Sequence, residues 1–174
     1  VKSCVGSEWC RFGVQDSTGM AVALERMTWG SWMPHKFKMA VSGCPRNCAE
    51  ATIKDFGVVA VESGWELHVG GNGGMKVRAT DLLCKVTGDE EVFEYCGAFI
   101  QLYREEARYL ERTAPWIERV GLAHVKARIV DDADGRKKLH RRFLESQRFS
   151  QSDPWAERAD GADASEFAAP AMVM

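Results

Sequence analysis

Residues 36–48 read Lys36-Phe37-Lys38-Met39-Ala40-Val41-Ser42-Gly43-Cys44-Pro45-Arg46-Asn47-Cys48, a strand pattern that runs directly into a pair of cysteines. Phe37, Met39 and Val41 alternate with polar or small residues, which is the pattern of a half-buried strand. The glycine and the proline on either side of Cys44 favour a tight, preset turn. The sequence therefore predicts a strand over 36–42 that delivers Cys44 from its end.

A second cysteine pair lies near the start of the chain. Cys4 and Cys10 are separated by five residues, whereas Cys44 and Cys48 are separated by three. Four thiolates from two chain segments can hold a metal ion or an iron-sulfur cluster, because cysteine is a soft ligand suited to zinc, copper(I) and iron-sulfur. Spacing leaves alternatives open: a structural zinc site, which suits the second pair better than the first, or reduced or bridged cysteines without metal. The closely spaced cysteine run of small bacterial ferredoxins is absent.

Periodicity along the rest of the chain predicts an α+β fold, with a mixed or antiparallel sheet packed with helices. The predicted helices lie near Val14–Met27, near Ala49–Lys54 and from about Asp89 onward, and the predicted strands near Phe56–Glu62, Trp65–Val69 and Met75–Ala79. Thr87 with Glu90 is a candidate capping box for the helix that begins near Asp89.

The other distinctive residues are interpreted as scaffold. Cys96 lies on an apolar stripe with helical spacing, which predicts a buried core thiol, and Cys84 is interpreted in the same way. The glycine-rich run 70–74, with Asn72 at its centre, lacks the ending of a phosphate-binding loop. We therefore predict that it forms a turn between two strands.

Composition limits the classes of protein that fit. With 174 residues, 45% of them hydrophobic, and a formal net charge of -2, the chain can bury one substantial core, and neither nucleic acid nor an anionic membrane is an expected partner. No apolar stretch approaches the length of a membrane-spanning helix, so a cytoplasmic protein is expected. From Gln147 the sequence becomes polar and then Ala-rich, which predicts a flexible tail. The predicted division is a domain over 1–125 and a helical extension with that tail over 126–174.

Three stretches together resemble the sirohaem and iron-sulfur region of nitrite and sulfite reductases: residues 4–13, 34–48 and 67–74. More narrowly, the run from Cys4 to about Gly121 resembles the C-terminal region of the large subunit of bacterial assimilatory NAD(P)H nitrite reductases. The resemblance implies the fold of the nitrite/sulfite reductase iron-sulfur domain. It also implies that residues 1–125 are a fragment of a larger enzyme.

Carried over to the matching positions, the resemblance implies a [4Fe-4S] cluster held by Cys4, Cys10, Cys44 and Cys48, with Cys48 also the axial ligand of the sirohaem iron. Sirohaem carries many carboxylates, so its pocket needs fixed cations and polar groups. The expected sirohaem contacts are Arg46, Asn47, Lys36, Lys38 and Asn72, with Arg11 and Arg78 as further cations. The ordinary alternative for each charged residue is a solvated face. No catalytic residue is assigned to the substrate.

The implied activity is the six-electron reduction of nitrite to ammonia. Sulfite is the related alternative, since the same pair of cofactors reduces both anions, but the flanking motifs favour nitrite. FAD and NAD(P)H are implied only for upstream domains, and the implied partners are those domains or a second subunit, together with a small nitrite reductase subunit. A noncatalytic module that holds zinc or only a cluster is the alternative of a different class.

Overall fold

The computed structural model describes residues 1–150 and Gly161. Its centre is a five-stranded sheet in the order β1-β2-β3-β4-β5. The strands are β1 (Lys2–Ser3), β2 (Met39–Ser42), β3 (Phe56–Val61), β4 (Gly64–Val69) and β5 (Asp81–Val86). Strands β1 to β3 run parallel, whereas β3, β4 and β5 are antiparallel neighbours. The predicted α+β fold with a mixed sheet is confirmed.

Six α-helices accompany the sheet in the described part of the chain. They are α1 (Gly6–Trp9), α2 (Ser17–Thr28), α3 (Asp89–Glu106), α4 (Thr113–Val120), α5 (Leu122–Lys126) and α6 (Ala133–Ser146). Helix α3 begins where the Glu91 carboxylate accepts the backbone N–H groups of Thr87 at 3.0 Å and Gly88 at 3.1 Å. The capping box predicted from Thr87 and Glu90 is therefore wrong by one position, because Gly88 occupies the cap and Glu91 closes it.

The core lies between the sheet and α3. The apolar stripe predicted for this helix is fully buried at Val92, Cys96, Phe99 and Tyr103. The ring of Phe99 packs 5.8 Å from that of Phe56 in β3 and 5.7 Å from that of Trp116 in α4, measured between centroids. Each such ring contributes about 1.5–3 kcal/mol by leaving water, so α3 and α4 are attached to the sheet mainly by aromatic burial.

The strand that carries Cys44 differs from its prediction. It begins at Met39 rather than Lys36, and all four of its residues are buried. Met39 and Val41 belong to the main core, whereas Ala40 packs with Ala49 and Val59 on the opposite face. Strand β2 lies between two neighbouring strands and is covered on both faces, so all of its residues are buried. The prediction of a half-buried strand was therefore wrong.

Two further predicted elements are corrected. Residues 75–79 are not a strand, since they lie in a loop closed by backbone hydrogen bonds of 2.9 Å in both directions between Asn72 and Arg78, and the strand follows at Asp81–Val86. The helix predicted near Ala49–Lys54 is a short 3-10 turn over Ala51–Ile53. Residues 70–74 nevertheless form part of a turn between strands, as expected.

The extension after residue 125 packs against the rest of the molecule through α6. Its Leu139 is 1% exposed and its Phe143 is fully buried, and both belong to the core that also contains Phe99. The predicted division between residues 125 and 126 falls inside α5. Most of the predicted flexible tail lies outside the described residues. None of the helices in the described part of the chain is both long enough and apolar enough to cross a membrane.

We expect the stability of the fold to decline as the pH falls below about 6.5, because His140 of α6 is pressed against α3. A Cβ atom at Gly97 would lie 2.4 Å from its Nδ1. Burial lowers the pKa of His140 below its ordinary value of 6.5, against the opposing charges of Glu94 and Glu90. The unfolded chain therefore binds the proton first, so the contribution of neutral His140 is complete above the ordinary pKa and is lost as the pH drops towards the lowered one.

Urea unfolding at pH 7.5 and pH 5.5 measures this effect. The free energy of unfolding should be lower at pH 5.5 than at pH 7.5, and the difference should be smaller in His140→Gln. An equal difference in both proteins would show that His140 does not carry the pH dependence.

Candidate functional site

The two segments that carry the cysteine pairs are neighbours because β1 and β2 are adjacent parallel strands. Lys2 pairs with Ala40, and Ser3 pairs with Val41. Cys4 directly follows β1, and its N–H continues the ladder to the Val41 carbonyl at 3.3 Å. Because parallel strands end at the same edge of a sheet, the loop over residues 4–15 and the loop over 43–48 emerge side by side. We call them the first and second cysteine loops.

Gly43 joins the two loops through its backbone. Its N–H donates to the Cys4 Sγ at 3.1 Å, and its carbonyl accepts from the Val14 N–H at 2.7 Å and the Gln15 N–H at 3.3 Å. A Cβ atom at Gly43 would lie 2.6 Å from the Gly6 Cα. The contact is therefore between two backbones, and it depends on the absence of a side chain.

Gly43→Ala is expected to separate the loops. The added methyl group has no room beside the Gly6 backbone, so we expect a loss of about 1–3 kcal/mol in the free energy of unfolding, together with weaker retention of any bound cluster. Gly88→Ala is the control, because the nearest atom to its added Cβ would be 3.9 Å away. Urea unfolding and iron analysis measure both effects. Equal behaviour of the two variants would contradict the role given to Gly43.

The second cysteine loop is held in shape by Asn47. This residue has a φ of +56°, a left-handed conformation that asparagine tolerates better than most residues. Its Oδ1 accepts from the Ala51 N–H at 2.7 Å, and its Nδ2 donates to the Thr52 Oγ1 at 2.7 Å. Its amide is therefore engaged within the chain and fixes the loop on the 3-10 turn that follows.

The four cysteines differ in exposure. All are free thiols, with Cys4 and Cys10 partly buried, Cys44 buried and Cys48 exposed. Burial alone would raise the pKa of the Cys4 thiol, but hydrogen bonds from the Ser17 hydroxyl and from backbone N–H groups bring it below its usual value. The environment of Cys4 thus favours the thiolate, which is the form that binds metals.

A cation and an aromatic ring also connect the two loops. The Arg46 guanidinium lies 3.9 Å from the centroid of the Phe12 ring, and that of Arg11 lies 4.6 Å from it. Arg46 belongs to the second loop, whereas Phe12 belongs to the first. Sequence reasoning missed Phe12, since a stacking partner on another segment leaves no signal in local spacing.

Residues 1–138 match the family described as the nitrite and sulphite reductase 4Fe-4S domain. The chain belongs to this family. Nitrite reductase [NAD(P)H] from Bacillus subtilis (strain 168) is 55% identical over 157 residues, which are 90% of this chain and 19% of that protein. The nitrite reductase (NADH) large subunit from Escherichia coli (strain K12) is 49% identical over 136 residues, or 77% of this chain and 16% of that protein. These findings confirm the resemblance to NAD(P)H nitrite reductases, of whose length the chain spans less than a fifth.

A sulfite reductase is a more distant relative of this nitrite and sulphite reductase domain, and two solved structures resemble it in fold. The assimilatory-type sulfite reductase from Nitratidesulfovibrio vulgaris is 35% identical over 130 residues, or 75% of this chain and 60% of that protein. The Mycobacterium tuberculosis NirA protein has a TM-score of 0.62 at 21% identity, covering 82% of this chain and 26% of that one. Dissimilatory sulfite reductase I has a TM-score of 0.58 at 16% identity, covering 87% and 52%. At these identities the solved structures show the shared fold.

The donor set of the nitrite and sulphite reductase domain suits the iron-sulfur cluster that the family name indicates. Within residues 1–150 no group of three or more His, Cys, Asp or Glu side chains is arranged around a single metal-ion position. A [4Fe-4S] cluster needs a different arrangement, because each thiolate binds a different iron atom. Four free thiols lie on two loops that are joined at Gly43, and thiolates are the donors that such a cluster takes.

The structure does not bring two of the predicted sirohaem contacts to the cysteine loops. Lys36 and Lys38 precede β2, whereas Cys44 follows it, so at about 3.3 Å per residue they lie roughly 13–20 Å from that end of the strand. They line a cavity of about 780 Å³ at the opposite end of the strands. Their role at a cofactor stays a prediction.

The Asn72 loop of the nitrite and sulphite reductase domain is attached to the 3-10 turn that follows the second cysteine loop. The Gly71 N–H donates to the Lys54 carbonyl, and the Thr80 N–H to the Thr52 carbonyl, both at 2.8 Å. The Asn72 Nδ2 donates to the Lys76 carbonyl at 2.7 Å. The loop is thus attached to the 3-10 turn that Asn47 holds, but it follows Val69, which pairs with Phe56 at the end of the sheet where β2 begins. The structure therefore does not bring Asn72 to the end of β2 that carries Cys44, and its role at a cofactor stays a prediction.

A buried carboxylate that sequence reasoning missed supports this region. Asp55 is fully buried, and its carboxylate accepts from the Lys38 N–H at 2.8 Å and the Arg112 Nη2 at 2.6 Å. The Thr113 hydroxyl also donates to it, and the Asp55 carbonyl accepts from the Gly70 N–H at 3.0 Å. Asp55 therefore links the start of β2, the glycine loop and the start of α4.

Proposed function

We propose that this domain is the cofactor-bearing segment of a nitrite reductase, which reduces nitrite to ammonia with six electrons. The observation that carries the proposal is the joined pair of cysteine loops, in a chain 55% identical to a nitrite reductase [NAD(P)H]. Identity to the assimilatory-type sulfite reductase is lower, at 35%. This difference favours nitrite over sulfite as the substrate.

In this proposal Cys4, Cys10, Cys44 and Cys48 hold a [4Fe-4S] cluster, and Cys48 is shared with a sirohaem iron. When bound, the two centres supply single electrons and a metal site for the anion. The exposed position of Cys48 suits a thiolate shared with a second group. Burial of Cys44 would keep water from one side of a bound cluster, and the Gly43 N–H that donates to the Cys4 sulfur would tune its potential.

The remaining parts of the enzyme are proposed to lie outside this chain. Its relatives are named NAD(P)H nitrite reductases and extend well beyond the matched region. We assign the FAD and NAD(P)H sites, and most contacts to the anion and to sirohaem, to upstream domains or to a second subunit. A small nitrite reductase subunit is the further proposed partner.

Anaerobic reconstitution of the chain with iron and sulfide tests the proposal. About four iron and four sulfide per chain, followed by a sirohaem absorption band that shifts on cluster reduction, are expected. Zinc bound in preference to iron, without sulfide, would show a structural metal module instead. If the chain binds the cluster but not sirohaem, its proposed role would be limited to electron transfer.

Cys48→Ser is expected to remove the shift of the sirohaem band while leaving the fold intact, because a serine oxygen does not replace a bridging thiolate. Absorption spectra of the reconstituted variant before and after reduction measure the coupling. Cys84→Ser is the control, because it leaves all four proposed ligands in place. Cys96→Ala is unsuitable, since that thiol is buried in the core. Full coupling in Cys48→Ser would rule out a shared thiolate at this position.

A further inference from the structure

A buried hydroxyl group lies where the two cysteine loops meet. It belongs to Ser17, the first residue of α2, which is fully buried. A Cβ atom added to Gly6 of the first loop would lie 2.6 Å from the Ser17 Oγ, and one added to Gly43 of the second loop would lie 3.0 Å from it. The hydroxyl is therefore enclosed between the backbones of the two loops, and its hydrogen-bond partners are groups of the chain itself.

Two atoms of Cys4 are within hydrogen-bond distance of this hydroxyl. The Ser17 Oγ donates to the Cys4 carbonyl at 2.9 Å, and it lies 3.4 Å from the Cys4 Sγ. A serine hydroxyl has one hydrogen to donate and two lone pairs that accept. While Cys4 is a free thiol, the hydrogen of Ser17 is therefore bound to the carbonyl, and its oxygen accepts the S–H of Cys4.

The Cys4 carbonyl has a second donor in Ser3. The Ser3 hydroxyl donates to this carbonyl at 2.7 Å, whereas the other acceptor within its reach, the Ser17 carbonyl, is farther away at 3.0 Å. A buried carbonyl left without a donor is costly. Because Ser3 keeps the Cys4 carbonyl hydrogen-bonded, the Ser17 hydroxyl can turn away from it without that cost.

We infer that Ser17 is a positioning residue for Cys4, and that its hydroxyl hydrogen turns from the Cys4 carbonyl to the Cys4 sulfur when Cys4 becomes a cluster ligand. The inference rests on the [4Fe-4S] cluster of the proposed function. A thiolate that binds iron has released its proton, so the sulfur can then only accept hydrogen bonds. The Gly43 N–H already donates to this sulfur at 3.1 Å, and the Ser17 hydroxyl becomes its second donor.

The second donor on the Cys4 sulfur favours the reduced form of the cluster. Reduction adds one electron, and part of its charge resides on the cysteine sulfurs. A hydrogen bond to a sulfur stabilises this added charge and so raises the reduction potential. Ser17 is therefore expected to make the cluster easier to reduce, although its own side chain does not bind iron.

Ser17→Ala in the reconstituted chain tests this role through the reduction potential. At a fixed applied potential the ratio of reduced to oxidised cluster should fall roughly threefold to tenfold, a shift of about 30–60 mV to lower potential at about 59 mV per tenfold change. A redox titration followed by electron paramagnetic resonance of the reduced cluster measures the ratio. Thr18→Val is the matched control, because its exposed hydroxyl lies 3.4 Å from the Cys4 carbonyl, and it should keep the wild-type potential. Equal potentials in the two variants would overturn the inference.

Ser3→Ala gives an independent readout, and it decides the question if Ser17→Ala retains too little cluster for titration. The hydrogen bonds of the Ser3 hydroxyl go to carbonyl groups. Without this donor the Cys4 carbonyl holds the Ser17 hydrogen, so the potential should again fall, by less than in Ser17→Ala. A wild-type potential in Ser3→Ala would show that the hydroxyl does not turn. A wild-type chain that takes up no iron and sulfide would instead refute the proposed function, and this inference with it.

Discussion

Cys44→Ser is expected to abolish the cluster. Cys44 is delivered by the buried strand β2, and it is 8% exposed, so no water or neighbouring thiol can readily take its place. Serine offers a harder oxygen donor that suits iron-sulfur ligation poorly. After anaerobic reconstitution, iron and sulfide per chain should fall more than about tenfold below the wild-type values.

Cys84→Ser is the matched control for this loss. Cys84 lies in β5 and is partly buried, and burial raises the pKa of its thiol to about 11. A thiol of this kind stays protonated and is a poor metal ligand. Wild-type iron and sulfide in Cys84→Ser, beside their loss in Cys44→Ser, is the expected result. Equal cluster content in the two variants would refute the assignment of Cys44.

Asp55→Ala is expected to produce the largest loss of stability. The change leaves the Arg112 guanidinium without the carboxylate that lies 2.6 Å away, and it removes the acceptor of the Lys38 N–H and the Thr113 hydroxyl. Removing one partner of a buried ion pair costs about 3–5 kcal/mol. Urea unfolding should show a loss of this size in the free energy of unfolding.

Glu50→Gln provides the comparison. Glu50 also forms two ion pairs, with Lys2 and Lys54, but its side chain is 53% exposed. Exposed ion pairs contribute little to the free energy of unfolding, so this variant should remain close to the wild type. If the two variants lost stability equally, the buried network around Asp55 would not be what holds β2 and α4 together.

The sequence indicated those features of the fold and of the candidate site that are local in the chain. The cysteine pairs, the turn at Cys44 and the apolar stripe of α3 depend on residue types at fixed spacing, and the α+β fold with a mixed sheet followed from the order of the elements. The family match over residues 1–138 agrees with the resemblance of the motifs.

Other features depend on partners far away in sequence. Strand β5 was missed because a register shift opposite Leu67 and His68 breaks the alternation, which leaves Leu83 and Val86 buried three residues apart. Asp55 gave no signal, since Arg112 and Thr113 are more than fifty residues away. Lys36 and Lys38 were expected beside the cofactor, because sequence does not show which end of a strand a ligand occupies.

Gly6 is the one buried residue among residues 4–15, which form the first cysteine loop. A segment with so few buried side chains opens at a lower free energy than the central strands do. The first cysteine loop is therefore expected to detach and close again while β2, β3 and α3 stay folded. Iron and sulfide can then enter between the two loops during this local opening. Cluster insertion is therefore expected to follow folding of the sheet and to hold the first cysteine loop in its closed position.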